Sequence, residues 1–283
     1  MTRIGIMQGR LVPPSDGRIQ CFPRDDWADE FPRAAAAGLD CIEWIYDEHG
    51  ADVNPLATDG GIDAVRALAD EHGVRVASVC ADYFMDQPLV RATPAELARR
   101  AEALDWLLGR CDRLGATRVV VPFVDASRID TAAELDEAAG ALRRALPVAE
   151  KSGIELHLES SLEPERLAGL IAALDHPLLK VNYDSGNSSS LGYHPRDEFA
   201  AYGPLVGSVH VKDRVFEGTT VPLGSGDADL PALFDCLRKV GYDGDVVLQV
   251  ARGRAGDEVA WARHNKALVV DYMAAAGWPA VAP

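Results

Sequence analysis

Eight times along the chain, a short β-prone run is followed by a stretch of helical periodicity, and few folds accept that pattern. The runs at 3–8, 40–45, 74–80, 117–123, 154–159, 178–184, 206–212 and 245–250 are predicted as strands. Helical stretches follow, several with sharp ends. Ile62, Val65, Leu68 and Ala69 share one helical face, and Gly73 closes that stretch. Thr93-Pro94-Ala95-Glu96 and Thr131-Ala132-Ala133-Glu134 are capping boxes, in which the threonine hydroxyl and the glutamate carboxylate satisfy free N–H groups at a helix start. Strands alternating with helices imply parallel βαβ units. Eight such units in 283 residues imply an α/β chain forming one (β/α)8 TIM barrel, a single domain over residues 1–283. A doubly wound open sheet is the competitor, but Gln8-Gly9-Arg10-Leu11 after the first strand is not its glycine fingerprint. Hydrophobic residues at 48% are ample for the core.

Both faces of a barrel strand are buried, so the strands should read almost continuously apolar. The later ones do not. Glu155, His157 and Glu159 share one parity of strand five; Lys180, Asn182 and Asp184 of strand six; Ser208, His210 and Lys212 of strand seven; Gln249 lies in strand eight. An unpaired buried polar group costs about 1–3 kcal/mol, so this many must pair with each other, a metal or a substrate. Glu159, Asp184, His210 and Gln249 stand at the C-terminal strand ends, where barrel enzymes place their chemistry. Glu159, Asp184 and His210 are therefore expected to meet at one cation.

Those residues carry a resemblance. Glu159, Asp184 in Asp-Ser-Gly-Asn, His210 in Val-His-Val-Lys-Asp, and Gly241-Tyr242-Asp243-Gly244 before strand eight resemble the xylose-isomerase-like barrel superfamily, in its sugar phosphate isomerase/epimerase branch. The resemblance spans essentially the whole chain. It implies one catalytic divalent ion, manganese first, with magnesium or cobalt as alternatives, on Glu159, Asp184, His210 and Gln249. Gln249 departs from the family, where an acid is common; an amide oxygen can ligate but cannot take a proton. The implied reaction is proton transfer on a sugar or sugar phosphate through a metal-stabilised enediolate, with Glu159 as base. Because Gln249 cannot act as a second base, isomerisation ranks ahead of epimerisation. His157, Lys212 or Asp213 would relay the second proton. Substrate contacts are expected from Glu43, Asn187, Lys212, Asp213 and Arg252, although Glu43 could instead support a metal ligand or make a plain structural hydrogen bond, Asn187 could close a turn, and Lys212 could pair with Glu159 or Asp213. Gly224-Ser225-Gly226 with Arg252 and Arg254 follow strands seven and eight, where barrels often bind phosphate. Trp44, Tyr83 and Phe84 either wall a sugar or belong to the core.

The same superfamily offers other outcomes: a sugar dehydratase or lyase, a sugar-binding barrel without activity, or a phosphodiesterase like the apurinic endonucleases. Seven histidines, mostly away from strand ends, and a net charge of −16 from 28 Lys plus Arg against 44 Asp plus Glu oppose the last. That charge also opposes any nucleic-acid or anionic-membrane partner. Met1 to Met7 reads as a strand rather than a leader, and no apolar run is long enough to span a bilayer. Five scattered cysteines without a C-x-x-C pair fit free thiols in a reducing cytoplasm. The resemblance also allows a homodimer.

Overall fold

The computed structural model describes residues 2–279, so Met1 of the predicted first strand lies outside the described residues. Eight parallel strands close into a barrel in the order one-eight-seven-six-five-four-three-two. They are Ile4–Met7, Cys41–Ile45, Arg75–Cys80, Arg118–Phe123, Glu155–Ser160, Leu179–Asp184, Val206–Val211 and Val246–Leu248. Each matches a predicted run to within a residue or two. The closing seam pairs Ile4 with Val246 and Ile6 with Leu248. At the N-terminal end of the barrel, Asp245 joins Arg3 (2.7 Å) and Arg118 (2.8 Å).

The longest outer helices, Pro94–Leu114 and Ala132–Ser152, start at the two capping boxes. Thr131 Oγ1 accepts from Glu134 N (3.2 Å), and Glu134 Oε2 accepts from Thr131 N (3.0 Å). Both helices stop at a glycine in the left-handed region, Gly115 (φ 85°) and Gly153 (φ 66°), a conformation costly for any residue with a Cβ. Thr93→Ala and Thr131→Ala are each expected to lower stability by about 1 kcal/mol, read as a reduced midpoint in urea with an unchanged slope.

Two features near the barrel mouth differ from the sequence expectation. The Gly/Ser stretch after strand six is a helix, Ser185–Ser190, and the long loop after strand seven holds a small antiparallel pair, Asp213–Arg214 with Thr220–Val221. The first misled because Ser, Gly and Asn are poor helix formers; the helix is nucleated by Asp184, whose Oδ1 accepts from Asn187 N (2.8 Å). Register irregularities fall between Ile42 and Glu43 and between Val181 and Asn182. Such irregularities re-aim side chains, and here they sit beside two residues of the polar interior.

Candidate active site

Glu159, Asp184 and His210 come from strands five, six and seven and meet inside the mouth. All three are buried, with one donor atom each lying within 4.8 Å of the others. His210 Nδ1 is 3.3 Å from Glu159 Oε2 and 3.8 Å from Asp184 Oδ2. Its other ring nitrogen, Nε2, is fixed 2.5 Å from Glu43 Oε1, from strand two. That bond aims Nδ1 at the two carboxylates. Burial opposes a charge on His210, but Glu43 and Glu159 outweigh it and raise its pKa to about 10. Burial raises Glu43, yet His210 prevails and holds it below the usual carboxylate range. Two carboxylate oxygens and one imidazole nitrogen, desolvated and with the imidazole oriented from behind, form a donor set that fits a divalent cation.

Around this trio the polar residues of strands five to seven pair with each other, as burial demands. Glu155 Oε2 lies 3.0 Å from His157 Nε2, and His157 Nδ1 lies 2.7 Å from Ser208 Oγ. Ser208 Oγ donates to Asn182 Oδ1 (2.6 Å), which turns the Asn182 amide nitrogen toward Glu159 Oε2 (3.4 Å) and His210 Nδ1 (3.1 Å). Asn187 Nδ2 donates to Glu159 Oε1 (2.5 Å). Lys212 Nζ reaches back over the site to Gln249 Oε1 (3.0 Å), Asn187 Oδ1 (3.2 Å) and Asp184 Oδ2 (3.5 Å).

A cavity of about 240 Å³ opens beside these groups, with Glu159, Asn187, Lys212 and Gln249 in its wall. Arg10, Gln20 and Asp82 also stand in its wall, and sequence reasoning passed over all three. Arg10 and Gln20 belong to the loop after strand one and carry no periodic signal. Asp82 had one: it lies two residues past a strand end at the barrel mouth.

Several expected roles need correction. His157 is fully buried beneath the mouth and spent on Glu155 and Ser208, so it does not face the cavity. Asp213 is also fully buried; its carboxylate accepts from the N–H groups of Gly224 (2.8 Å), Gly226 (2.9 Å) and Ala228 (3.1 Å). The glycine loop thus holds an internal carboxylate at the place where barrels often bind phosphate. Arg252 donates to the carbonyls of Val12 (2.9 Å) and Ile19 (3.1 Å) and lines a separate surface cavity with Arg254. Gln249 lies in the cavity wall, but its oxygen accepts from Lys212 and its nitrogen donates to Gln20 (3.1 Å), which leaves Glu159, Asp184 and His210 as the converging donors. Glu43 is fully buried on His210, away from substrate. Trp44 packs in the core against Phe22 and Trp27, and Phe84 is also buried; neither lines the cavity.

All five cysteines are free and buried, and among the described residues no helix is long and apolar enough to cross a membrane. No curated protein sequence matches the chain. Solved structures match its fold. An L-ribulose 3-epimerase superposes with a TM-score of 0.76 at 21% identity, over 98% of this chain and 96% of its own. The 3-keto-D-glucoside 4-epimerase of E. coli gives 0.72 at 21% identity, over 95% and 99%. The IOLI protein with a bound zinc atom gives 0.76 at 17% identity, over 96% and 98%. The model of the xylose isomerase-like TIM barrel matches residues 31–269, and the chain belongs to that family.

Proposed function

We propose that the protein is a divalent-metal-dependent isomerase or epimerase of an unphosphorylated sugar. The observation that carries this reading is the convergence of Glu159, Asp184 and His210 beside a cavity roofed by Lys212. Glu159, Asp184 and His210 would hold the ion, which when bound supplies a Lewis acid that polarises a sugar carbonyl and stabilises the charge developing on its oxygen. The carboxylate and imidazole donors suit manganese or magnesium. Glu159 is the base that removes the proton beside the carbonyl. Asn187 fixes its carboxylate through Oε1, so the proton-accepting group is held in one orientation. The Lys212 ammonium, anchored by Gln249 and Asn187, lies where it favours an anionic oxygen. The named activities of two structural neighbours, a ribulose 3-epimerase and a keto-glucoside 4-epimerase, support the same class of chemistry.

The charge of the cavity supports a substrate without phosphate. Asp47, Asp82, Asp86, Asp125 and Glu159 line it against Arg10, Arg18 and Lys212. Arg10 is spent on Val250 O, Ile19 O and Gln20 Oε1. Arg18 is left on the exposed rim.

The test is solvent exchange. Purified protein with Mn²⁺ is incubated in D₂O with ketopentoses, ketohexoses and their phosphate esters. Deuterium is expected at a carbon flanking the carbonyl, at least about tenfold faster for the free sugars, and chelation should stop it until metal is restored. A panel without incorporation rejects the reading.

A further inference from the structure

We infer that Asp82 is a second proton-transfer residue of this site, facing the substrate from a different wall than Glu159, and that the reaction is therefore an epimerisation. This rests on the function proposed above. Inverting a carbon requires a proton to leave one face and another to arrive on the opposite face. Glu159 serves one face. Gln249 cannot serve the other, because an amide neither takes nor gives a proton at this task and its oxygen is bound to Lys212.

Asp82 has the placement. It follows strand three, separated by strand four from strand five, which carries Glu159, so the two carboxylates reach the cavity from different parts of its wall. It lines the same cavity as Glu159, with 9% of its surface exposed. It is also held still: Gln20 Nε2 donates to Oδ2 (2.8 Å) and Cys80 Sγ donates to Oδ1 (3.1 Å). Gln20 is itself fixed by Arg10 Nη2 (2.9 Å) and Gln249 Nε2 (3.1 Å), both donating to its Oε1. Gln249 thus orients an acid instead of being one. Among the described residues no lysine or arginine pairs with Asp82. Burial pushes its carboxyl up to about 6, with Gln20 and Cys80 holding it down and Glu159 and Asp47 adding to the rise. Both protonation states are accessible near neutral pH.

The step balances. Glu159 takes the proton beside the carbonyl, and the electron pair of the broken C–H bond passes into the enediolate. The Asp82 O–H donates its proton to the same carbon from the other face, forming the new C–H bond as the carbonyl reforms. Water then removes the proton from Glu159 and returns one to Asp82; nothing is oxidised or reduced.

The test uses the Mn²⁺-loaded protein with free ketoses in D₂O, following wash-out of the substrate proton and appearance of the epimer separately. In Asp82→Asn, epimer formation is expected to fall about 100-fold while wash-out stays within about threefold of wild type. Equal loss of both, or loss of neither, overturns the assignment, since a residue that merely fastens Gln20 would move them together. Gln20→Ala keeps the carboxyl but frees it; the epimer-to-wash-out ratio should fall about tenfold, and an unchanged ratio overturns the assignment even where Asp82→Asn fails to fold. Wild-type protein that washes out no proton sinks the proposed function and this inference together; wild type that does so while the variants behave otherwise sinks this inference alone.

Discussion

The Glu159→Gln protein is expected to exchange substrate protons with solvent about 1,000-fold more slowly than wild type while keeping its fold. Measured at saturating Mn²⁺, because Glu159 is also one of the residues that would hold the ion, the loss is that of a general base, commonly worth about 100- to 10,000-fold. Glutamine preserves the shape of the side chain. Oriented with its oxygen toward Asn187 Nδ2, it keeps the 2.5 Å contact that now seats Oε1. What it removes is the capacity to accept a proton, and one of the two carboxylates that face His210 Nδ1. His210 retains Glu43 on its far side, so the buried imidazole is not left without a partner. Circular dichroism and urea unfolding should therefore stay close to wild type, while isotope exchange collapses. Exchange surviving within tenfold of wild type would place the base elsewhere, and Lys212 would be the next group to examine.

How far the sequence revealed this site depended on whether a residue sat in a repeating element. The barrel was legible because strand and helix alternate with capping boxes and glycine stops at their ends, and those signals are local. Glu159, Asp184 and His210 were legible because a charge at an inward strand position contradicts its surroundings. The same reasoning overreached for His157 and Asp213. Both are polar and buried, but one is neutralised by its strand neighbours and the other by backbone N–H groups of a loop, which spacing alone does not disclose. Arg252 was placed correctly after strand eight, yet its guanidinium is taken by carbonyls more than 200 residues earlier in the chain. Gln20 was missed for the same reason: its value lies in its contact with Asp82, across 62 positions, and no periodicity encodes it.

Glu43→Ala is expected to be the most destabilising single change at the site, by about 3–5 kcal/mol in the metal-free protein, and to weaken divalent metal binding about 10- to 100-fold. Glu43 and His210 are both fully buried and 2.5 Å apart. Removing the carboxylate leaves the imidazole in a dry interior without its Nε2 partner, and it also opens a void in the barrel interior. The metal effect has a separate origin. Glu43 holds the proton on Nε2, and so makes Nδ1, the nitrogen facing Glu159 and Asp184, the one that gives up its proton when a cation binds. Glu43→Gln separates the two effects, because an amide oxygen still accepts from Nε2 but carries no charge. Its stability should recover to within about 2 kcal/mol of wild type, with metal affinity still reduced. Urea unfolding and titration with Mn²⁺ read the two quantities independently. If Glu43→Ala bound Mn²⁺ as tightly as wild type, Glu43 would be a packing residue of the barrel interior and the orientation of His210 would have to come from Asn182.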